Sequence, residues 1–305
     1  MASTDQNNHS SAILFGPMRM PFLILAPACV VVGVATAKYT GADLDLLQVI
    51  LVFLGGLAAH ISVNALNEYH DFRTGLDLRT EPTPFSGGSQ TLPRNPDKAH
   101  VALVTGLTAM IVAALVGIYF LTLRGWGLLP LGLLGLLVIA AYTPLMTRDP
   151  LLCLVSPGLG FGTFMVMGTH YALSGSYTWT AFFASLVPFF LVSDLLLLNQ
   201  FPDVEADRSI GRKHLLITLG RRRSVTVYAL FLAGAYLAVV AGYLLGHLPL
   251  LGLLALLTIP LAISAVRGTA RHSESIPDLI PFLGQNVIIN LVTPVLLAVG
   301  LFWAA

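Results

Sequence analysis

Long apolar runs alternate with short polar connectors along the chain. Nine runs stand out, at 18–38, 46–68, 99–123, 126–146, 152–174, 179–200, 224–246, 249–267 and 280–303. Each approaches the roughly 20 residues that a helix needs to cross a bilayer. Only "GHLP", Gly246 to Pro249, divides the seventh run from the eighth. The pattern predicts an all-α polytopic membrane protein over 17–305, with nine transmembrane helices in a single bundle around a central cavity. The polar stretch before it, 1–16, reads as disordered.

Composition agrees. Of 305 residues, 56% are hydrophobic and 10% charged, and the mean hydropathy is +0.81. A net charge of +1 gives none of the basic excess that nucleic-acid binding needs, so no nucleic-acid partner is expected. The two cysteines, Cys29 and Cys153, sit in apolar context and read as buried thiols. The first apolar run is too long for a signal peptide and lacks a cleavage site.

Charge placement orients the bundle. With the N-terminus inside, fourteen of the sixteen Lys and Arg residues fall in inside connectors, leaving only Lys38 and Arg124 outside. The C-terminus is then outside. Arg221, Arg222 and Arg223 read as part of this anchoring.

The acids are not spread evenly. "NEYHDFRTGLD", Asn67 to Asp77, ends the second run, and "NQFPDVEADRSIGRKHL", Asn199 to Leu215, ends the sixth. Both fall on the inside face. Asn199, Asp203 and Asp207 are spaced i, i+4, i+8, one stripe of a helix, and Asn67 and Asp71 repeat the i, i+4 step. Asp77 lies beyond Gly75, where the helix is expected to have ended. Glu68 and Glu205 fall off the stripes and rank below the aspartates. Pro202 should kink the sixth helix and turn its acids toward the bundle centre. Acids at helix ends are often no more than solvated loop entries. Two facing sets on one side of so uncharged a chain instead suit hard divalent cations.

Cations surround the acids. Arg79 and Lys213 stand closest and are read as diphosphate contacts; Arg73, Arg208 and Arg212 flank them. The small residues of "PFSGGSQTLP", Pro84 to Pro93, suit a cap over a diphosphate, a lid or a plain linker.

These residues resemble the UbiA superfamily of intramembrane prenyltransferases. Its pattern is two Asp-rich motifs, each led by Asn, after the second and sixth of nine helices. Here Glu68 replaces the commoner Asp, and Asp77 comes six residues after Asp71. That long spacing, with "FPDVEADRSIGRKHL", is similar to the branch that prenylates 1,4-dihydroxy-2-naphthoate on the way to menaquinone. In "AYTPLMTRDP" Tyr142 matches the family's Tyr-rich segment, but the nearest cation after it is Arg148, where the 4-hydroxybenzoate branch tends to carry Lys.

The resemblance implies a polyprenyl diphosphate donor, an aromatic acceptor and Mg²⁺. It assigns Asn67, Asp71, Asp77, Asn199, Asp203 and Asp207 to the metal and diphosphate shell, with Asn67, Asp71, Asn199 and Asp203 also expected as catalytic. Arg79, Lys213, Tyr142 and Arg148 are expected to bind substrate. His70 and His214 adjoin the motifs and read first as polar helix-end residues, and His170 as a satisfied residue of the bundle. A bacterial or archaeal cell membrane, with lipid around the helices and the active-site loops in the cytoplasm, is the expected setting. Two alternatives stay open at this level: a prenyltransferase with another acceptor, such as 4-hydroxybenzoate or homogentisate, and a cation-coupled transporter. The transporter fits less well, because both motifs lie at one face among cations and not near the midplane.

Overall fold

The computed structural model describes residue 13 and residues 15–305. Residues 1–12 of the polar stretch lie outside the described residues. Among the described residues nine apolar helices follow: α1 Met20–Tyr39, α2 Leu46–Thr74, α3 Pro96–Arg124, α4 Trp126–Ala141, α5 Pro150–Ser174, α6 Trp179–Asn199, α7 Arg221–Leu244, α8 Leu250–His272 and α9 Ile276–Trp303. Among the described residues eight are long and apolar enough to cross a membrane; α4 is shorter. The predicted fold class stands, with the fourth span as its weak member.

Local chemistry sets the helix starts. Asp45 accepts a hydrogen bond from the Gln48 N–H at the head of α2, and Thr178 from the Ala181 N–H at the head of α6. Asp149 caps α5, whose first position is Pro150. Within α5, Leu159–Phe164 widens into a π turn after Pro157. Gly158 precedes that turn and Gly162 lies within it, and at both a Cβ would collide with the α6 backbone at Phe189. The small-xxx-small pair lets two spanning helices approach backbone to backbone.

The buried core is lopsided. It joins α1, α6, α7 and α9 through residues such as Cys29, Leu191, Tyr228 and Leu297. α3 and α4 turn large apolar side chains outward, among them Leu107, Ile111, Leu115, Leu133 and Leu137. In water such exposure would be costly; in lipid it is the expected face of a spanning helix. Between the tight core and the α3–α4 flank lies an apolar cavity of about 1290 Å³, lined by α1 through α6 and by α9.

Candidate active site

The site sits where the inner ends of α2 and α6 meet. α2 runs past its predicted end at 68 to Thr74, so Asn67, Glu68 and Asp71 are on the helix itself. Gly75, at φ 75°, stops it: its N–H reaches the Asp71 and Phe72 carbonyls, a conformation that a side chain would strain. The Leu76 N–H also bonds the Asp71 carbonyl, at 2.9 Å. The reversal leaves Asp77 buried beside Asp71.

The second motif departs from the single predicted stripe. α6 ends at Asn199, a turn containing Pro202 follows, and a new short helix spans Val204–Ser209. Proline removes a backbone donor and crowds the preceding turn, so the expected kink is a break. Asn199, Asp203 and Asp207 therefore reach the site from three segments.

Arg212 ties the two motifs together. One guanidinium nitrogen bonds Asp71 and another bonds Asp207 at 2.9 Å, and the Nε2 of His214 lies 3.1 Å from Asp207. A second arginine closes the other side. Arg19, just before α1, donates to Glu68 at 2.7 Å and to Asn67 at 3.0 Å; the Asn67 amide donates to Thr143 at 3.1 Å.

Glu68, ranked below the aspartates for the metal shell, has a structural part of its own. It is fully buried and accepts three hydrogen bonds: from Arg19, from the Ser89 N–H at 2.7 Å and from the Ser89 hydroxyl at 2.9 Å. The loop after α2 is thereby latched over the first motif. Gly88, at φ 70°, makes this approach; a Cβ there would stand 3.0 Å from an Asp77 oxygen.

Burial pushes the Asp77 carboxyl up to about 8, with Glu68 and Asp71 adding to the effect. Burial, then Asp207, raises Asp203 to about 7, while a hydrogen bond from Ser86 pulls the other way. One side-chain oxygen each of Asp77, Asn199 and Asp203 is sealed and has no hydrogen-bond partner. Such a set of unpaired hard oxygens fits a divalent cation. Among the described residues no three carboxylate, imidazole or thiol side chains form a closed chelate. The donor set suits an ion held by one or two carboxylates, an amide and oxygens of a bound substrate.

The remaining predicted residues are placed as follows. Tyr142, Asn67 and Asn199 line the apolar cavity. Arg79 is exposed and donates to the Ser209 hydroxyl at 3.0 Å, bridging the two motif loops. Lys213 is exposed and gives its backbone N–H to the Thr147 carbonyl; Arg148 is exposed as well. Among the described residues, the cations that pair with the buried acids of the two motifs are Arg19, on Glu68, and Arg212, on Asp71 and Asp207, while Arg208 pairs with the exposed Glu205. Sequence reading left Arg19 with the inside-loop charges and Arg212 with the flanking ones. The signal for Arg19 was its isolation: no other Lys or Arg precedes Lys38.

Residues 25–283 match the model of the UbiA prenyltransferase family. The chain is 27% identical over 278 residues to the 1,4-dihydroxy-2-naphthoate octaprenyltransferase of Bacillus subtilis (strain 168), covering 89% of this chain and 86% of that one. It is also 27% identical over 311 residues to the protein of the same name from Escherichia coli (strain K12), covering 99% and 100%. A solved UbiA homolog from Archaeoglobus fulgidus bound to GPP and Mg²⁺ superposes with a TM-score of 0.66 at 13% identity, covering 95% and 99%. The chain belongs to the UbiA prenyltransferase family and is an integral membrane prenyltransferase.

Proposed function

We propose that this prenyltransferase moves a polyprenyl group from polyprenyl diphosphate to 1,4-dihydroxy-2-naphthoate, with Mg²⁺ as its metal. One observation carries the reading: the leading asparagines of both acidic motifs, Asn67 and Asn199, line a large apolar cavity, and each motif also holds an aspartate, Asp77 or Asp203, with an unpaired buried oxygen. A diphosphate headgroup with metal suits the first feature and an isoprenoid tail the second. The names of the bacterial relatives support the acceptor, and the GPP and Mg²⁺ of the Archaeoglobus homolog support the donor and the ion.

Asn67, Asp71, Asp77, Asn199, Asp203 and Asp207 are the residues that would hold the metal. Bound there, Mg²⁺ supplies Lewis-acid neutralisation of the leaving diphosphate. The protein does the rest. Arg19 and Arg212, already fixed by carboxylates, present cationic N–H groups to phosphate oxygens. The loop latched by Glu68 and Ser89 covers the headgroup and excludes water, which would otherwise capture an allylic cation. As the C–O bond breaks, its electron pair leaves on the diphosphate. The acceptor ring carbon bearing the carboxylate bonds to the allylic carbon. Loss of CO₂ then returns an electron pair to the ring, and the hydroxyl protons are conserved overall. Tyr142 lines the cavity beside this chemistry, placing its ring to position the acceptor or face the cation. Both motif loops are assigned to the cytoplasmic face from the Lys and Arg distribution.

Membranes containing the protein are incubated with Mg²⁺, labelled geranylgeranyl diphosphate and either 1,4-dihydroxy-2-naphthoate or 4-hydroxybenzoate. Prenylated lipid from the naphthoate alone, abolished by EDTA, is the expected result. Product from 4-hydroxybenzoate alone overturns the acceptor; donor hydrolysis or binding with neither acceptor used overturns aromatic transfer.

A further inference from the structure

Asn67 is held at both ends of its amide. The Arg19 guanidinium, which can only donate, meets it at 3.0 Å, so the atom on that side is Oδ1. The other end is then the NH₂, and it donates to the Thr143 hydroxyl at 3.1 Å. The amide therefore has a single orientation. The asparagine that leads the second motif has no such tie on its oxygen: the Asn199 Oδ1 is unpaired.

Thr143 is fixed in turn by its own segment, the connector between α4 and α5. It is 9% exposed. The Tyr142 carbonyl accepts the Met146 N–H at 3.0 Å and the Thr147 N–H at 3.1 Å, and the Thr147 hydroxyl donates to the Thr143 carbonyl at 2.8 Å. These bonds close the connector into a tight turn around Pro144. The Thr147 carbonyl then accepts the Lys213 N–H at 3.0 Å. One side of the connector thus meets the first motif, and the other meets the residue that follows Arg212 in the second. The same turn sets Tyr142 on the cavity wall.

The terminal torsion of an asparagine is broad, so nothing inside the side chain sets the plane of its amide. Partners must do it. Arg19 alone occupies one lone pair of Oδ1 and leaves the amide free to turn about that contact; the bond to Thr143 removes this freedom. Asn67 is partly buried and lines the cavity. Among the described residues no protein group takes its second Oδ1 lone pair or its second amide hydrogen. A polar group already aimed at its ligand loses little freedom on binding. We infer that Thr143 is a positioning residue for prenyl transfer, its hydroxyl fixing the plane of the Asn67 amide toward the metal and diphosphate headgroup. The inference rests on the transfer reaction proposed above and adds to it a residue that lies in neither acidic motif.

The test uses the full-length protein with Mg²⁺, geranyl diphosphate and 1,4-dihydroxy-2-naphthoate. Two quantities are read: donor kcat/KM, and the geranyl diphosphate concentration that gives half-maximal thermal protection without acceptor. Thr143→Val keeps the shape and loses the hydroxyl; Thr143→Ser keeps the hydroxyl and loses a methyl. The Val variant should lose about tenfold in kcat/KM and need about tenfold more donor for protection, the scale of one hydrogen bond. The Ser variant should stay within about twofold of wild type on both. A packing role reverses this order, since Val then fills the site and Ser leaves a void. The reversed order, or equal values in the two variants, overturns the inference. If Thr143→Val does not fold, Thr143→Ser and Thr143→Ala decide: both lack the methyl, and only the hydroxyl separates them. Ser better than Ala by about fivefold or more upholds the positioning role, and parity overturns it. A wild type that is protected by donor but never prenylates the naphthoate overturns the transfer reaction, while the protection midpoints still decide the part of Thr143.

Discussion

Asp71 and Arg212 lie 141 positions apart and form one buried ion pair, whose guanidinium also holds Asp207 at 2.9 Å. The two acidic motifs are thus clamped together by a cation that the second motif itself supplies. Truncating Arg212 leaves two buried carboxylates facing each other. Removing one partner of a buried pair typically costs about 3–5 kcal/mol. Arg212→Ala should therefore lower the melting temperature of metal-free protein, and Mg²⁺ with donor should restore most of it. A melting temperature equal to wild type without metal would exclude the clamp.

Asp71 and Asp203 stand on opposite motifs with their side chains in the cluster. Asp71→Ala and Asp203→Ala should each lower transfer by at least about a thousandfold, the scale of losing a main electrostatic contributor. Detergent-extracted yield and helicity should stay near wild type. Near-normal turnover in either purified variant would remove these residues from the site.

Protons and metal compete for the same oxygens. Burial raises Asp77 to about 8 and Asp203 to about 7 in the folded chain, above an unfolded value of about 3.9. Between those values the native state holds protons that the unfolded chain has released. Stability from these groups is therefore greatest at low pH and falls as pH rises toward 8. Metal binding runs the other way, because it needs the ionised carboxylates. The Mg²⁺ concentration giving half-maximal donor binding should drop by about tenfold or more between pH 6 and pH 8. A pH-independent midpoint would contradict buried, protonated aspartates.

Gly132 and Gly135 of α4 line the cavity, and a Cβ at either meets nothing within 4 Å. A large side chain there should fill the channel without disturbing the helix. Gly132→Phe and Gly135→Phe should keep activity with geranyl diphosphate and lose most of it with long polyprenyl diphosphates. Competition between labelled donors of two lengths reads the change directly; an unaltered length preference would place the tail elsewhere.

Gly158 has the opposite surroundings. Its missing Cβ is where α6 backbone passes. Gly158→Leu overpacks this crossing and should cost about 1–3 kcal/mol or more, seen as a lowered melting temperature and reduced yield. Wild-type stability would mean the helices can part freely.

Much of the fold was legible because the bilayer imposes it locally. A spanning segment must satisfy its own backbone, so apolar length alone predicts a helix. That logic weakened only at the short α4 and at the end of α2, where polar residues continue a helix that hydropathy had ended at 68. The motif aspartates were legible too, as charges in a chain that has few. The part Glu68 plays in holding the loop was not legible, because helical spacing gives a residue's face but not its partners. Arg19 and Ser89 come from other segments, and they turn an off-stripe acid into the anchor of a loop.

By itself, then, the sequence determined the apolar spans and the acidic residues that stand out among them, since hydrophobic length and charge act residue by residue. Tertiary structure decided which cations meet those acids, how Pro202 divides the second motif, and which loop Glu68 holds over the first. Those outcomes depend on contacts between helices far apart in the chain. The same arginine, glutamate or asparagine is solvated in one packing and buried against a partner in another, and spacing along one helix carries no record of which.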